Sequence, residues 1–416
     1  MRTGMEWGRL GAALIGALAV ACGGAVAGTG SQAAGSSPVD QGNGQPAPSA
    51  GPDGQTPCTP LFKAGATGAW EQIGSSLGGS AATLALDACS NPTVAVQGDG
   101  SPAFRVVRWD GSTWQQLGEP VSGAPAGDRA QYGSLAVDAR DNAVLAWVQV
   151  HLATSFSERD SQAAFASRWN GKRWSVPVQL AGWTLLAFPP TVVMDAAGVA
   201  TIAWNEEATT GQGSARAARW NGTAWMPIPD VPGAAPIALD TSGALLATTS
   251  SATQLSILRW DGLHWAAASG PLASTSAVAY GASATWLGVD PVGRIITTYE
   301  TDRGSKSMRA HAAVWDGARW HDLPDPSSTW SLVAGMGMRA GELIAQVSEF
   351  DWTQGGAGPV EFRAFDGSSW RTFAPLPPHD GALYGVSGAI APDGSLFAVS
   401  AAPLRGTAGQ FVFRWR

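Results

Sequence analysis

Three pairs of acidic residues recur along the chain, and they are the side chains best suited to chemistry. They are Glu206 and Glu207, Glu300 and Asp302, and Glu349 and Asp351. Trp147, Trp204, Tyr299, Trp352 and Arg303 lie near them in sequence, and Trp183 stands apart. Aromatic faces beside carboxylates and a guanidinium suit a carbohydrate, because stacking supplies contact area and polar groups fix hydroxyl orientation. Paired carboxylates could also hydrolyse a glycosidic bond, which needs an acid and a base or nucleophile at a defined separation. No Gly-x-Ser-x-Gly elbow, phosphate loop or His-Glu-x-x-His helix is present. The five histidines (His151, His264, His311, His321 and His379) are scattered, and no Cys or His pair has zinc-ligand spacing. No metal or cofactor is implied. Any one of these residues is more simply a solvated rim or core Trp, and acids at one repeated position are more simply explained by blade duplication than by catalysis.

The elements that must hold these residues are written into a repeat. Arg108-Trp109-Asp110-Gly111-Ser112-Thr113-Trp114 returns as Arg168 to Trp174, Arg219 to Trp225, Arg259 to Trp265, Val314 to Trp320 and Ala364 to Trp370, at spacings of 40 to 60 residues. Each copy follows, by 20 to 31 residues, an apolar run ending in Asp, a short turn and a second apolar run. These runs end at Asp87, Asp138, Asp195, Asp240, Asp290 and Asp393, whereas the copy near Arg339 lacks the Asp. Asp-Gly and Asn-Gly between β-rich runs predict hairpins with type I′ turns. A two-residue turn would set Trp109 opposite Ser112 and Val107 opposite Trp114, with the two Trp diagonal on one sheet face. Each repeat is then four strands: a (ending in Asp), b, c (ending in Trp) and d (carrying the second Trp).

Seven such units resemble the blades of a β-propeller, an all-β fold of four-stranded antiparallel sheets. The resemblance spans residues 62–416 within a domain of residues 58–416. It implies that the paired aromatics fill the space between blades. The Gly-His…Trp-Asp pattern, the kelch double glycine, the sialidase Ser-x-Asp-x-Gly-x-x-Trp box and the integrin-type calcium loop are missing. The repeat is most similar to those of uncharacterised bacterial surface lipoproteins with kelch-like repeats.

The chain ends on Phe411-Val412-Phe413-Arg414-Trp415-Arg416, a strand c with no strand d after it. The domain opens on Thr67-Gly68-Ala69-Trp70-Glu71-Gln72-Ile73-Gly74, which reads as a strand d with no c before it. The two orphans predict a ring whose last blade takes three strands from the C-terminus and one from the N-terminus, leaving no open edge.

In such blades the a–b and c–d turns share one face, and both are short here. The b–c and d–a connections share the other; they are longer and vary, as binding loops do. Residues 151–162, 207–214, 301–308 and 350–358 are b–c connections, and 183–190 and 327–338 are d–a connections. Ligand contacts are therefore expected from Trp352, Asp351, Glu349, Glu206, Glu207, Glu300, Arg303 and Trp183. The repeated Arg (Arg108, Arg168, Arg219, Arg259 and Arg414) and Asp fall near the tight-turn face. Structural Arg–carboxylate or Arg–carbonyl bonds are expected there, against a rival ring of ligand sites.

Residues 1–21 carry Arg2 and Arg9 before a short apolar run, the pattern of an export signal. Leu18-Ala19-Val20-Ala21-Cys22 resembles a bacterial lipobox, which implies lipidation at Cys22 and attachment to a membrane. Gly23, rather than Asp, implies outer-membrane sorting in a host with two membranes. Residues 22–57 are Gly, Ser, Ala, Pro and Gln with almost no large apolar side chain, a composition that makes a flexible tether. With Cys22 lipidated, Cys58 and Cys89 are left as an even pair in an exported chain, read as a disulfide.

Composition agrees. The chain of 416 residues is 45% hydrophobic, 14% charged and carries a formal net charge of −7. That balance excludes a nucleic-acid binder, which needs a basic face. Its 20 Trp against 4 Tyr reflect one position used many times. The expected protein is a monomeric, lipid-anchored envelope propeller that meets a glycan or an envelope protein through its long-loop face. A structural or assembly lipoprotein is the alternative, and a polysaccharide hydrolase or lyase comes third.

Overall fold

The computed structural model describes residues 59–62, 68–79, 81–98, 101–123, 128–151, 161–183, 186–206, 214–231, 236–250, 254–273, 283–301, 309–326, 331–339, 342–351, 356–375, 387–391, 394–400 and 409–415. Their strands form seven antiparallel sheets, each a run of neighbours in chain order. Blades 1 to 6 span 81–116, 129–179, 186–231, 237–273, 283–323 and 331–375. Blade 7 orders Ser387–Ile390, Leu396–Ser400 and Phe411–Trp415, and Trp70–Ile73 completes it. The pairing is antiparallel, Trp70 opposite Trp415 and Ile73 opposite Val412. The fold is the seven-bladed propeller with a 3+1 last blade. Blade 4 differs by a two-residue strand, Leu272–Ala273, that pairs with Gln254–Trp260 beyond strand d. Among the described residues no helix is long and apolar enough to cross a membrane.

The core lies between sheets. Leu84, Leu86, Val94, Val96 and Trp109 of blade 1 pack with Phe397, Val399 and Val412 of blade 7. Trp147, Phe165 and Trp169 of blade 2 pack with Phe104 and Val106 of blade 1. A strand with sheets on both faces needs apolar residues at every position rather than at alternate ones. Strand b of blade 2, Ala143–His151, accordingly is buried throughout except at His151. Each such large side chain contributes about 1.5–3 kcal/mol by leaving water.

The c–d hairpin corrects one expectation. Trp109 stands directly opposite Trp114, and Arg108 opposite Gln115. The same register joins Trp220 to Trp225, Trp260 to Trp265 and Trp315 to Trp320. The turn therefore has four residues, not two, and the indoles are cross-strand partners, not diagonal ones. A type I′ turn needs two successive residues at positive φ. Only Gly111 has it here, at 100°. The Asp110 carboxylate closes the wider loop, its Oδ1 accepting from the backbone N–H of Ser112 and Thr113 at 2.8 Å each. The two rings meet at 5.3 Å, a geometry worth about 0.5–1.5 kcal/mol beyond burial.

The second Trp of the hairpin also ties blades together. Its indole N–H donates to a backbone carbonyl at the outer strand of the preceding blade. Trp114 reaches Ile73 O at 3.1 Å, Trp174 reaches Leu117 O at 2.7 Å, Trp265 reaches Pro229 O at 2.9 Å and Trp320 reaches Gly270 O at 2.8 Å. Trp370 reaches Pro324 O at 2.6 Å. The repeated aromatic pair thus fills the blade seams, as the resemblance to propeller blades implies.

Residues 59–62 lie across the closing seam. The Asn91 amide of blade 1 donates to Thr59 O at 2.9 Å, and its Oδ1 accepts from Leu61 N at 2.9 Å. The Phe62 ring meets Phe397 of blade 7 edge-on at 5.7 Å and lies 4.5 Å from the Arg414 guanidinium.

Candidate functional site

Antiparallel order places the a–b and c–d turns at one end of the ring and the b–c and d–a connections at the other. At the tight-turn end the repeated charges bond to one another. Arg219 Nη2 donates to Asp195 Oδ2 at 2.9 Å and Arg259 Nε to Asp240 Oδ2 at 2.7 Å, both within a blade. Arg108 Nη2 donates to Asp141 O and Arg168 Nη2 to Gly198 O, each at 3.2 Å and each reaching the next blade. The Asp carboxylates also close the a–b turns. Asp138 Oδ1 accepts from Arg140 N and Asn142 N at 2.8 and 2.9 Å, and Asp195 Oδ1 from Ala197 N and Val199 N at 3.0 and 2.9 Å. Blade 6, which lacks the Asp, instead sets Arg371 Nη2 on both oxygens of Glu342 at 2.8 and 2.9 Å. These bonds are the structural ones expected of this face.

Burial raises the pKa of Asp87 above its ordinary value, although the backbone and side-chain amides of Asn91 and the Cys89 N–H favour its carboxylate. At the exposed c–d turns, backbone N–H groups hold Asp110, Asp316 and Asp366 well below the usual carboxylate range.

At the opposite end the candidate acids are spread over several sheets. Glu206 ends strand b of blade 3, Glu300 lies near the end of strand b of blade 5, and Glu349 and Asp351 lie at the end of strand b of blade 6. Glu300 pairs with Ser283 and Ala310, and Glu349 with Ser331. Glu207, Arg303, Trp352, Cys22 and Cys58 lie outside the described residues. Glu206 has structural partners: its Oε1 accepts from the Trp204 indole at 3.1 Å and its Oε2 from Arg216 Nε at 3.4 Å. Blade 2 makes the same bond with an amide, the Trp147 indole donating to Gln149 Oε1 at 3.0 Å. Arg216 also pairs with Asp230. A second polar group sits in blade 5. There Tyr299 stacks on His311 at 5.1 Å, and His311 Nδ1 meets Asp325 Oδ1 at 2.7 Å. Burial first, then the charges of Asp322 and Asp325, push the Tyr299 hydroxyl up to about 12.

Among the described residues at this end, blade 2 carries solvent-open side chains on a built support. Trp147 is wholly buried and stacks on Phe165 at 5.9 Å and 23°. Phe165 meets Trp183 at 6.3 Å, and Trp183 meets His151 edge-on at 5.9 Å. His151 Nδ1 lies 2.8 Å from Asp128 Oδ1. The imidazole is 59% exposed and its carboxylate partner only 9%. Trp183 is 42% exposed. Three connections meet here: Asp128 precedes strand a, His151 ends strand b, and Trp183 follows strand d. Trp183 was legible as an aromatic outside the repeat. Asp128 and His151 were not, since nothing in a 23-residue separation across two strands announces a pair. Among the described residues no three His, Cys, Asp or Glu side chains group as a metal site.

The chain is a β-propeller protein. No family model matches it, and no curated protein sequence does. Solved structures do. A protein of unknown function from Dyadobacter fermentans DSM 18053 is 14% identical, covering 71% of this chain and 96% of its own, with a TM-score of 0.46. YCF48 bound to D1 peptide is 14% identical, with coverage of 86% and 99% and a TM-score of 0.48. Trypanosoma rangeli sialidase in complex with the inhibitor DANA is 13% identical, with coverage of 76% and 60% and a TM-score of 0.43. At these identities the likeness is one of fold alone.

Proposed function

We propose that this chain is a non-catalytic, lipid-anchored extracytoplasmic propeller that binds a glycan or protein partner through its long-loop face. The contrast between the two ends of the ring carries the reading. At the tight-turn end the repeated Arg, Asp and Trp side chains bond to other blades or turns. At the loop end His151 and Trp183 are held from below and open to solvent. A rigid scaffold that leaves such groups on variable connections is the usual arrangement of a binding surface. The bonds of Glu206 to Trp204 and Arg216 favour binding over glycoside hydrolysis, since they occupy the carboxylate structurally.

Lipidation at Cys22 and placement at the outer membrane or cell surface of a bacterial envelope rest on the signal sequence. Pairing of Cys58 with Cys89 is supported by Thr59, whose carbonyl is held 2.9 Å from Asn91, two residues past Cys89. The strap of residues 59–62 lies at the tight-turn end, against Asn91 of the first a–b turn. Expression with labelled palmitate tests the anchor: the chain should take up label and the Cys22→Ser variant should not. Glycan-array binding by the full chain carrying Cys22→Ser tests the partner class. Capture of an envelope protein without glycan binding favours an assembly lipoprotein. Turnover of a polysaccharide that Glu349→Gln abolishes returns the reading to catalysis.

A further inference from the structure

We propose that Trp183, His151 and Asp128 form a binding site for a neutral saccharide, on the loop end of blade 2; the inference rests on the reading of that end as the binding face. Four rings rise from the core to the surface in sequence. Trp147 is 0% exposed, Phe165 5%, Trp183 42%, and the His151 side chain 59%. The support is tight. A Cβ added to Gly123 would stand 2.5 Å from the Phe165 ring, so the backbone at Gly123 lies directly against it. A ring fixed from below loses little freedom when a ligand stacks on it, which is what pre-organised recognition requires.

The polar half of the site is also fixed. A carboxylate is costly to bury unless it is bonded. Asp128, 9% exposed, meets an imidazole that faces solvent rather than the core. With Nδ1 engaged by Asp128, Nε2 is the ring nitrogen left to hydrogen-bond a ligand hydroxyl. An aromatic face beside one oriented polar group matches a pyranose ring, which offers C–H groups on one face and hydroxyls at its edge. The acidic member of the cluster, Asp128, disfavours an anionic sugar and favours a neutral one.

The test is affinity electrophoresis of the full chain carrying Cys22→Ser. Gels contain laminarin, galactomannan, dextran or soluble starch, with alginate as the acidic contrast. At least one neutral polymer should retard the protein. Trp183→Ala should weaken that retardation on the order of tenfold or more, as loss of an aromatic anchor does. His151→Ala should weaken it less, and Asp128→Asn in the same direction. Thermal melting of each variant separates lost binding from lost fold; Trp183→Tyr, which keeps an aromatic face, should restore most retardation. Retardation indifferent to Trp183→Ala in a folded protein overturns the site while sparing the glycan reading. Retardation by alginate alone overturns the neutral class. If no polymer retards the protein but a partner protein crosslinks to the loop end, the saccharide site falls and the binding-face reading stands.

Discussion

The indole rings of Trp70 and Trp415, 345 positions apart in the chain, meet at 5.6 Å and 66°. They are also cross-strand partners in the sheet that closes the ring. The contact does for the last blade what Trp109 and Trp114 do within the first, except that here it joins the two ends of the domain. Trp70→Ala and Trp415→Ala should each cost about 2–3 kcal/mol, below the roughly 3–5 kcal/mol of a fully buried Trp because both rings are half-buried. The double variant should lose less than the sum, since both changes remove one contact. Urea denaturation of the four proteins measures this. Strict additivity would mean the rings are anchored separately and the closure is carried by the backbone pairing.

The inter-blade indole bond has its own test. Trp320→Phe keeps a smaller aromatic ring in the seam and removes the donor to Gly270 O, 2.8 Å away. The expected loss is about 1 kcal/mol, the net value of one hydrogen bond, with a little more for the smaller ring. A loss near zero would assign the seam to packing alone.

The repeat and the closure were both legible, because each depends on residues that recur. Trp, Asp-Gly and the Asp at the end of strand a mark blade after blade, and the split last repeat marks the join. The turn register was misread. Asp-Gly suits two turn lengths, and the choice here is made by Asp110 accepting two backbone N–H groups, which the dipeptide does not reveal. The blade 2 cluster was half legible. Trp183 stood out because it falls outside the repeated aromatic pair. His151 and Asp128 became neighbours only through the register that sets Arg129 opposite Val150.

Glu206 distinguishes binding from catalysis. It holds the indole of Trp204 as Gln149 holds that of Trp147, so Glu206→Gln should leave that bond intact. Only the exposed pairing with Arg216 weakens, at a cost below about 1 kcal/mol. Calorimetry should show a melting temperature close to the parent's, and any polysaccharide binding should persist. Loss of a measurable hydrolytic activity in a protein that remains folded would instead make Glu206 a catalytic carboxylate.

Acid stability should depend on the c–d turns. The carboxylates of Asp110, Asp316 and Asp366 are held below their ordinary value by the backbone N–H groups they accept. Their folded pKa is lower than the unfolded one, so the stability they contribute is present above the unfolded value and is lost as pH falls through the folded one. The pH window opens below about 4. Asp87 acts with the opposite sign, since burial raises it. Two blades already do without the charge: Asn170 Oδ1 accepts from Lys172 N and Arg173 N at 3.1 and 3.0 Å, and Asn221 Oδ1 from Thr223 N and Ala224 N at 2.9 and 2.8 Å. A chain carrying Asp110→Asn, Asp316→Asn and Asp366→Asn should therefore keep its hairpins at neutral pH. Its denaturation midpoint should fall less than the parent's between neutral pH and about pH 3, because amides do not titrate. An unchanged acid slope would place the acid-sensitive groups elsewhere, with the Arg-paired Asp195 and Asp240 of the tight-turn end the next to substitute.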